Sequence, residues 1–447
     1  MALASAGTWK FTLGCALALA GLVVFPLPAG AQLGGLGGLP GAGGLPDVRL
    51  PPALNQPLET PARTLRGAAG TVTGLVDSAG RPSQPELVDN DTQGNRAVRG
   101  EVLALSPTAE SLAIARALNF QVMRQTTLGG LGLGVTVLRP PTGQSLADAI
   151  AALRRADPQG AYDYNHIYDP SAGAFEGVRS LFKRAQPADA RGISIGLVDA
   201  GVDRSHPALR RAGIVSENFA GKERSPPSAH GTAIASILVG DSASVKGALP
   251  GATVYAADVF GGKAEGGSAE AVARGLAWVA ERRATVINVS LVGPENRTLK
   301  AVVEVLLARG HVIVAAVGND GPARPVGYPA AYEGVIAVTS VDGGRRIQVD
   351  ANRGPEIAFA ALGVDVQVAA LNKTYATATG TSFAAPLVAA RIAQKMTQPN
   401  IAASSQVLRD LRAEVVDLGA PGRDDIFGYG FLDAPSGAVT NASATVR

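Results

Sequence analysis

The sequence predicts an α/β protein with a doubly wound, mainly parallel sheet covered by helices on both faces, preceded by a small α+β domain. Short apolar runs alternate with helical patterns in the C-terminal half, and a β-α-β-β-α-β order precedes them. Strands buried on both faces of a parallel sheet are apolar throughout, and their alternation with helices is typical of doubly wound domains. The 447 residues, 46% apolar and 17% charged, suffice for two or three such globular domains.

Residues 1–31 have the pattern of a secretory signal peptide. Lys10 precedes an apolar run over 11–25, and Ala29-Gly30-Ala31 forms a cleavage site after two prolines. A run of 15 residues is short for a transmembrane helix. We therefore predict bacterial export to the periplasm or the medium, without stable membrane insertion after signal removal. The only cysteine, Cys15, lies inside this segment, so the exported chain would have no disulfide.

Residues 32–97 are predicted to be a mostly disordered linker. The segment begins with repeated Gly, Leu and Pro, a composition that forms neither a regular helix nor a sheet. The whole chain has 40 basic and 37 acidic residues, a formal net charge of +3, and no long basic run. This balance argues against nucleic acid as a partner.

Residues 98–168 are predicted to form a small split βαβ domain. Ser106 followed by Pro107 is typical of a helix start, and Ser145 with Asp148 three residues later indicates a second one. The expected order is strand 101–105, helix 106–118, strands 120–126 and 133–139, a helix from 145, and strand 161–168.

A connecting segment, 169–190, is expected to lead into the α/β domain over 191–447. Its apolar runs predict strands at 193–198, 253–259, 286–291, 312–317 and 335–341. Helical patterns between these runs cover 232–239, 268–283 and 299–309.

Four polar residues fall at the ends of predicted elements. Asp199 follows the first strand, Asn319 follows the strand 312–317, and His230 and Ser382 stand at helix starts. In open α/β sheets, sites form at the carboxyl ends of strands. We therefore expect these side chains to meet.

Amide hydrolysis requires the groups that these residues supply. A serine hydroxyl needs a neighbouring base, histidine provides one, and a buried carboxylate fixes the tautomer and stabilises the imidazolium. Ser382 at a helix start would also present a free backbone N–H to a developing oxyanion. Asn319 would supply the second donor.

The motifs around these residues resemble the subtilisin-like serine peptidase family. They are Asp199 in VDAGVD, His230 in HGTAIAS, Asn319 in AAVGNDG and Ser382 in GTSFAAP, in the order of the family and over roughly 191–438. The resemblance implies that Asp199 orients His230, that His230 is the general base and then the general acid, and that Ser382 is the nucleophile. Asn319 would complete the oxyanion hole. It implies no cofactor, and we predict no particular metal site.

The resemblance also indicates where substrate binds. Ser290, Leu291 and Val292 stand where the family commonly has Ser-Leu-Gly-Gly, so Val292 would narrow the pocket for the residue before the cleaved bond. Gly267 precedes a helix without the lysine or spacing of a phosphate-binding loop. We interpret it as a cleft edge that pairs with an extended protein or peptide substrate.

The unit at 98–168 is similar to the inhibitory prodomains of this family. The expectation is that Asp163–Tyr168 occupies the cleft as an intramolecular inhibitor and that the chain is cut nearby; a permanently attached accessory domain is the alternative. The predicted function is an exported serine endopeptidase made as a self-processing zymogen. The alternatives are a processing protease of narrow specificity in the envelope and a catalytically silent peptide-binding scaffold.

Other histidines could compete with His230. His206 lies seven residues after Asp199 in SHPAL, and we expect a structural role for it. His311 and His166 are expected to be hydrogen-bonding or surface residues.

Overall fold

The computed structural model describes residues 85–171, 175–177, 190–221, 224–263 and 266–433. All of these belong to one compact unit, Pro61–Arg447. A second unit, Met1–Thr60, lies outside the described residues, as do the predicted signal peptide and most of the predicted linker.

The described elements are numbered in chain order. The strands are β1 (Val88–Asn90), β2 (Arg96–Leu105), β3 (Gln121–Thr127), β4 (Gly134–Arg139), β5 (Ala161–Pro170), β6 (Phe175–Gly177), β7 (Ser194–Asp199), β8 (Gly213–Asn218), β9 (Thr253–Asp258), β10 (Gly267–Ser268), β11 (Val286–Val289), β12 (Leu291–Val292), β13 (Val312–Ala316), β14 (Ile336–Val341), β15 (Ile357–Leu362), β16 (Val366–Ala369) and β17 (Tyr375–Ala378). The helices are α1 (Ala109–Ala117), α2 (Leu146–Ala156), α3 (Ala229–Val239), α4 (Ala269–Glu281), α5 (Arg297–Ala308), α6 (Thr381–Ala393) and α7 (Ile401–Glu414).

The N-terminal domain has an antiparallel sheet in the order β5-β2-β4-β3, with α1 and α2 inserted between its strands along the chain. This is the connectivity of the split βαβ unit. Its core forms between the helices and one face of the sheet, where Leu138, Ile150, Leu153 and Tyr162 are buried.

The structured region extends beyond the predicted bounds of this domain. β1 lies inside the predicted linker and pairs with β2, which itself begins two residues before the predicted start. At the other end, β5 continues to Pro170, two residues past the predicted end. The prediction that Ser106 caps α1 is wrong. Thr108 Oγ1 accepts the Ser111 N–H at 3.0 Å, whereas Ser106 adopts a left-handed conformation and its Oγ accepts a hydrogen bond from the Gly134 N–H.

The sheet of the C-terminal domain has seven parallel strands in the order β15-β14-β13-β11-β7-β9-β8. Side chains alternate between its faces: Ile195 and Leu197 pack under α3 and α6, while Val198 packs under α4 and α5. The prediction of a doubly wound α/β domain is therefore confirmed.

The N-terminal domain packs on α4 and α5 through the outer face of its sheet. Leu103, Val135 and Val137 are buried in the same apolar cluster as Leu276 and Leu299 of these helices. None of the described helices is long and apolar enough to cross a membrane.

Candidate active site

Asp199 and His230 lie together at the carboxyl end of the sheet. Asp199 ends β7 and His230 is the second residue of α3; both are buried, and His230 Nδ1 lies 2.8 Å from Asp199 Oδ1. Gly231 permits this approach, because a Cβ there would lie 2.2 Å from the backbone oxygen of Ala200. The carboxylate holds the ring through Nδ1 and leaves Nε2 available for proton transfer.

Ser382 is the second residue of α6, just after Gly380, whose φ of 154° is open mainly to glycine. Its Oγ contacts the carbonyl oxygen of Ser171 and lies 3.3 Å from the carbonyl oxygen of Ser290. It does not hydrogen bond to His230, whose buried Nε2 has no hydrogen-bond partner among the described residues. The Phe383 ring packs on His230 at 5.7 Å between centroids, so Ser382 and His230 stand on neighbouring elements of one site.

Asn319 points its amide at the same carbonyl group. Its Nδ2 donates to the Ser171 oxygen at 2.8 Å. Its Oδ1 accepts hydrogen bonds from the Thr381 backbone N–H and the Gln348 side chain, each at 3.0 Å. These two donors fix the amide orientation, and sequence reasoning missed both Thr381 and Gln348 in this role.

The end of β5 lies between two short strands of the catalytic domain. It pairs antiparallel with β10, with Gly267 opposite Tyr168, and with β12. In the β12 pair, Leu291 is opposite Pro170 and Val292 is opposite Asp169. The Ser171 N–H then donates to the Ser290 carbonyl at 3.2 Å. The structure thus brings all four predicted substrate-binding residues, Ser290, Leu291, Val292 and Gly267, against the chain's own N-terminal domain.

Of the Asp163–Tyr168 segment expected in the cleft, Ile167 and Tyr168 pair with β10, and the paired segment continues to Ser171. The earlier part of β5 instead meets the N-termini of two helices. Asp163 Oδ2 accepts the Arg297 N–H of α5 at 2.7 Å, and Asn165 Oδ1 accepts the Glu270 N–H of α4 at 3.1 Å. Unpaired N–H groups at helix starts favour such acceptors.

An ion pair adds to this contact between the domains. The Arg124 Nε lies 2.9 Å from both carboxylate oxygens of Glu270, and its terminal nitrogens bind Glu101 in the N-terminal domain. The Glu270 side chain is 5% exposed, so Arg124 is the cation that accompanies this buried carboxylate.

Tyr168 fills a closed pocket. Its side chain is fully buried, its hydroxyl donates to the Pro294 carbonyl at 2.7 Å, and a Cβ on Gly293 would lie 2.4 Å from its ring. Burial raises the pKa of Tyr168 well above its ordinary value, which keeps the hydroxyl protonated as a donor. Sequence reasoning missed this pocket, because Tyr168 and the Pro294 carbonyl that binds it are 126 residues apart in the sequence.

A groove of about 780 Å³ adjoins Ser171 and is bordered by Val292, Asn319 and Tyr328. The Val292 side chain lies against Gly327, where an added Cβ would be 2.0 Å from Val292 Cγ2. Val292 therefore forms part of the wall, and the groove stays open beside it.

The remaining histidines have other partners. His206 is buried, with Nε2 at 2.8 Å from the Thr374 carbonyl and Nδ1 accepting the Ala208 N–H. His311 binds the Ala284 carbonyl, and burial lowers its pKa. His166 lies in β5 between Asp91 and Asn296.

A second buried carboxylate, Asp258, stands beside Asp199 on the neighbouring strand β9. Its Oδ1 accepts the Phe260 and Gly261 N–H groups. Burial raises the pKa of Asp258, and the nearby Asp199 acts in the same direction. Within the ranges that the structure describes, no group of three or more His, Cys, Asp or Glu side chains is arranged to hold a metal ion.

Comparison with known proteins identifies the family. Residues 190–430, more than half of the chain, match the subtilase family, peptidase family S8. This chain belongs to the subtilase family of serine endopeptidases. The matched region contains Asp199, His230, Asn319 and Ser382.

Individual relatives agree with this assignment. The chain is 32% identical to subtilisin DY of Bacillus licheniformis over 253 residues, 55% of this chain and 90% of that protein. It is 31% identical to the minor extracellular protease Epr of Bacillus subtilis over 260 residues, 58% of this chain but only 40% of Epr. Fervidolysin from Fervidobacterium pennivorans, a solved structure, has the same fold: TM-score 0.64, 22% identity, 75% of this chain and 60% of that chain covered.

Proposed function

We propose that this protein is an exported serine endopeptidase made as a self-processing zymogen, with Asp199, His230 and Ser382 as its catalytic residues. One observation carries the proposal: the carbonyl oxygen of Ser171 lies 2.8 Å from Asn319 Nδ2 and in contact with Ser382 Oγ. A carbonyl group placed between a nucleophile and an oxyanion donor is what acyl transfer requires.

In the first step Ser382 Oγ attacks the carbonyl carbon while its proton passes to His230 Nε2. Asp199 stabilises the imidazolium through Nδ1. The Asn319 amide, held by Thr381 and Gln348, donates to the developing oxyanion. Its orientation is set before reaction, so little reorganisation accompanies the charge.

The tetrahedral intermediate then collapses. His230 gives its proton to the leaving amine, the C–N bond breaks, and the acyl group stays on Ser382 as an ester. Water, deprotonated by His230, attacks this ester by the same path and releases the carboxylate product. The net reaction consumes one water per peptide bond and uses no cofactor.

The N-terminal domain is proposed to be both the first substrate and an inhibitor. Cleavage after Ser171 would leave a product strand that is still paired with β10 and β12 and anchored by Tyr168. Asp163, Asn165 and Arg124 add contacts outside the cleft. These contacts support retention of the cut domain until it unfolds or is digested.

Export rests on two supports. The first 31 residues have a signal-peptide pattern, and the relative Epr is named as an extracellular protease. We propose export to the periplasm or the medium and action on protein or peptide substrates.

The proposed activity can be tested with a fluorescent serine-directed phosphonate on the purified protein. Labelling that is lost in Ser382→Ala is expected, because only an activated serine reacts. Ser216→Ala is the matched control, since it removes a buried serine hydroxyl on the edge strand β8 that has no hydrogen-bond partner among the described residues. A folded, cleaved protein that does not label would contradict the proposal and favour a peptide-binding scaffold. Labelling without cleavage of casein would favour a processing protease of narrow specificity.

A further inference from the structure

The chain beyond Ser171 pairs with a strand that leads directly to the catalytic serine. β6 is antiparallel to β17, with Phe175, Glu176 and Gly177 opposite Ala378, Thr377 and Ala376. β17 ends at Ala378, and α6 with Ser382 begins three residues later. β6, four residues after Ser171 in the sequence, therefore lies along the segment that leads to the nucleophile.

The pairing has a definite register relative to the reaction centre. Phe175 is four residues after Ser171, and Ser382 is four residues after Ala378. Two contacts, Phe175 opposite Ala378 and the Ser171 carbonyl against Ser382 Oγ, are therefore four residues apart along each of the two segments. The strand pairing and the position of the attacked carbonyl are thus mutually consistent.

β17 is the middle strand of a small sheet and would become an edge strand if β6 left. In the small sheet β16-β17-β6, β16 covers one side of β17 and β6 covers the other. Departure of β6 would take away the sheet partner of the N–H and C=O groups on that side of β17. Such an edge accepts any extended peptide, because the contacts are made by the main chain.

We infer that β17 is a docking strand for substrate on the C-terminal side of the cleaved bond, and that it pairs with the fourth to sixth residues after that bond. The substrate class is then extended polypeptide with at least six residues beyond the cut, such as unfolded or loop segments of proteins. β6 occupies this edge in the uncut chain and is replaced by substrate after cleavage. The inference rests on the proposed peptidase function.

The test compares internally quenched peptides with the processed wild-type protein. All carry Ile-Tyr-Asp-Pro-Ser, the sequence of 167–171, before the bond. The short peptide has three residues after it, Ala-Gly-Ala, and the long peptide has seven, Ala-Gly-Ala-Phe-Glu-Gly-Val. A third peptide is the long one with methylated backbone nitrogens at Phe, Glu and Gly, which removes hydrogen bonding but keeps the side chains.

We expect kcat/KM to be about 10-fold higher for the long peptide than for the short one, the effect of a few main-chain hydrogen bonds. The methylated peptide should fall to the level of the short one. Equal rates for short and long peptides would overturn the inference, as would a methylated peptide that is cleaved as fast as the long one.

Phosphonate labelling in parallel separates the two claims. Normal labelling of Ser382 together with equal peptide rates, or with no peptide cleavage, overturns the docking strand alone. Absence of labelling in the processed protein overturns the proposed function and the inference together.

Discussion

Tyr168→Phe removes a single hydroxyl from the pocket that anchors the N-terminal domain in the cleft. The hydroxyl donates to the Pro294 carbonyl at 2.7 Å in a fully buried environment. Losing this hydrogen bond and leaving a buried carbonyl unsatisfied costs about 1–2 kcal/mol. The open fraction of the cleft in the cut protein should therefore rise about 5- to 30-fold.

The assay is the rate at which the phosphonate labels Ser382 in the purified, self-cleaved protein with both fragments present. The phosphonate reacts only when the cleft is empty, so the rate follows the open fraction. Tyr162→Phe is the matched control. It removes a hydroxyl that binds Asp157 at 2.7 Å in the same domain, buried but far along β5 from the cleft.

Tyr168→Phe should accelerate labelling well beyond Tyr162→Phe. Two results would refute the reasoning: labelling of Tyr168→Phe at the wild-type rate, or equal acceleration by both variants, which would reduce the effect to general loss of domain stability.

Three further predictions concern other contacts. Asn319→Ala should lower kcat by about 10²–10³ with little change in KM, a magnitude taken from the oxyanion-hole asparagine of subtilisin, a relative of this chain. Steady-state kinetics on a quenched peptide measures both constants. A rise in KM with kcat unchanged would contradict the prediction. Arg124→Ala should leave Glu270 without its cation and speed the labelling of Ser382 by several-fold. The effect is limited to about 1 kcal/mol because the Arg124 side chain is 39% exposed and solvent weakens the ion pair. An unchanged labelling rate would show that this ion pair does not hold the N-terminal domain in place. Burial raises the pKa of Asp258 above its unfolded value of 3.8. The contribution of Asp258 to wild-type stability should therefore be lost as pH rises through the folded pKa. Asp258→Asn cannot ionise, so it should gain stability relative to wild type over that pH range. Thermal unfolding at a series of pH values, in a Ser382→Ala background to prevent autolysis, measures this, and a difference that does not change with pH would disprove the assignment.

Five buried strands of the parallel sheet could be predicted because each is apolar on both faces. β7, β9, β11, β13 and β14 all fall within two residues of their predicted bounds. The two edge strands, β8 and β15, were not predicted. The alternating exposure of β8 gives it no continuous apolar run, and three alanines, which are weak strand formers, occur in β15. The two-residue strands β10 and β12 exist only as partners of β5, and no local pattern can indicate them.

The four site residues could be predicted to meet because each follows a strand or opens a helix at one edge of the sheet. The segment of β5 that enters the cleft could not be predicted in full from the sequence. The choice of Ile167–Ser171 over Asp163–Tyr168 depends on where Asp163 and Asn165 meet α5 and α4, which are contacts between residues more than 100 positions apart. Asp258 was also missed, because a carboxylate at a strand end has no distinctive motif.

Ser382 is proposed to cut the bond after Ser171. The intact mass and N-terminal sequence of the purified wild-type protein beside Ser382→Ala measure this cut. We expect a wild-type fragment that begins at Ala172 and one that ends at Ser171, with the Ser382→Ala chain intact at that bond. Wild-type protein that stays uncut there, or a Ser382→Ala chain that is cut equally, would contradict it.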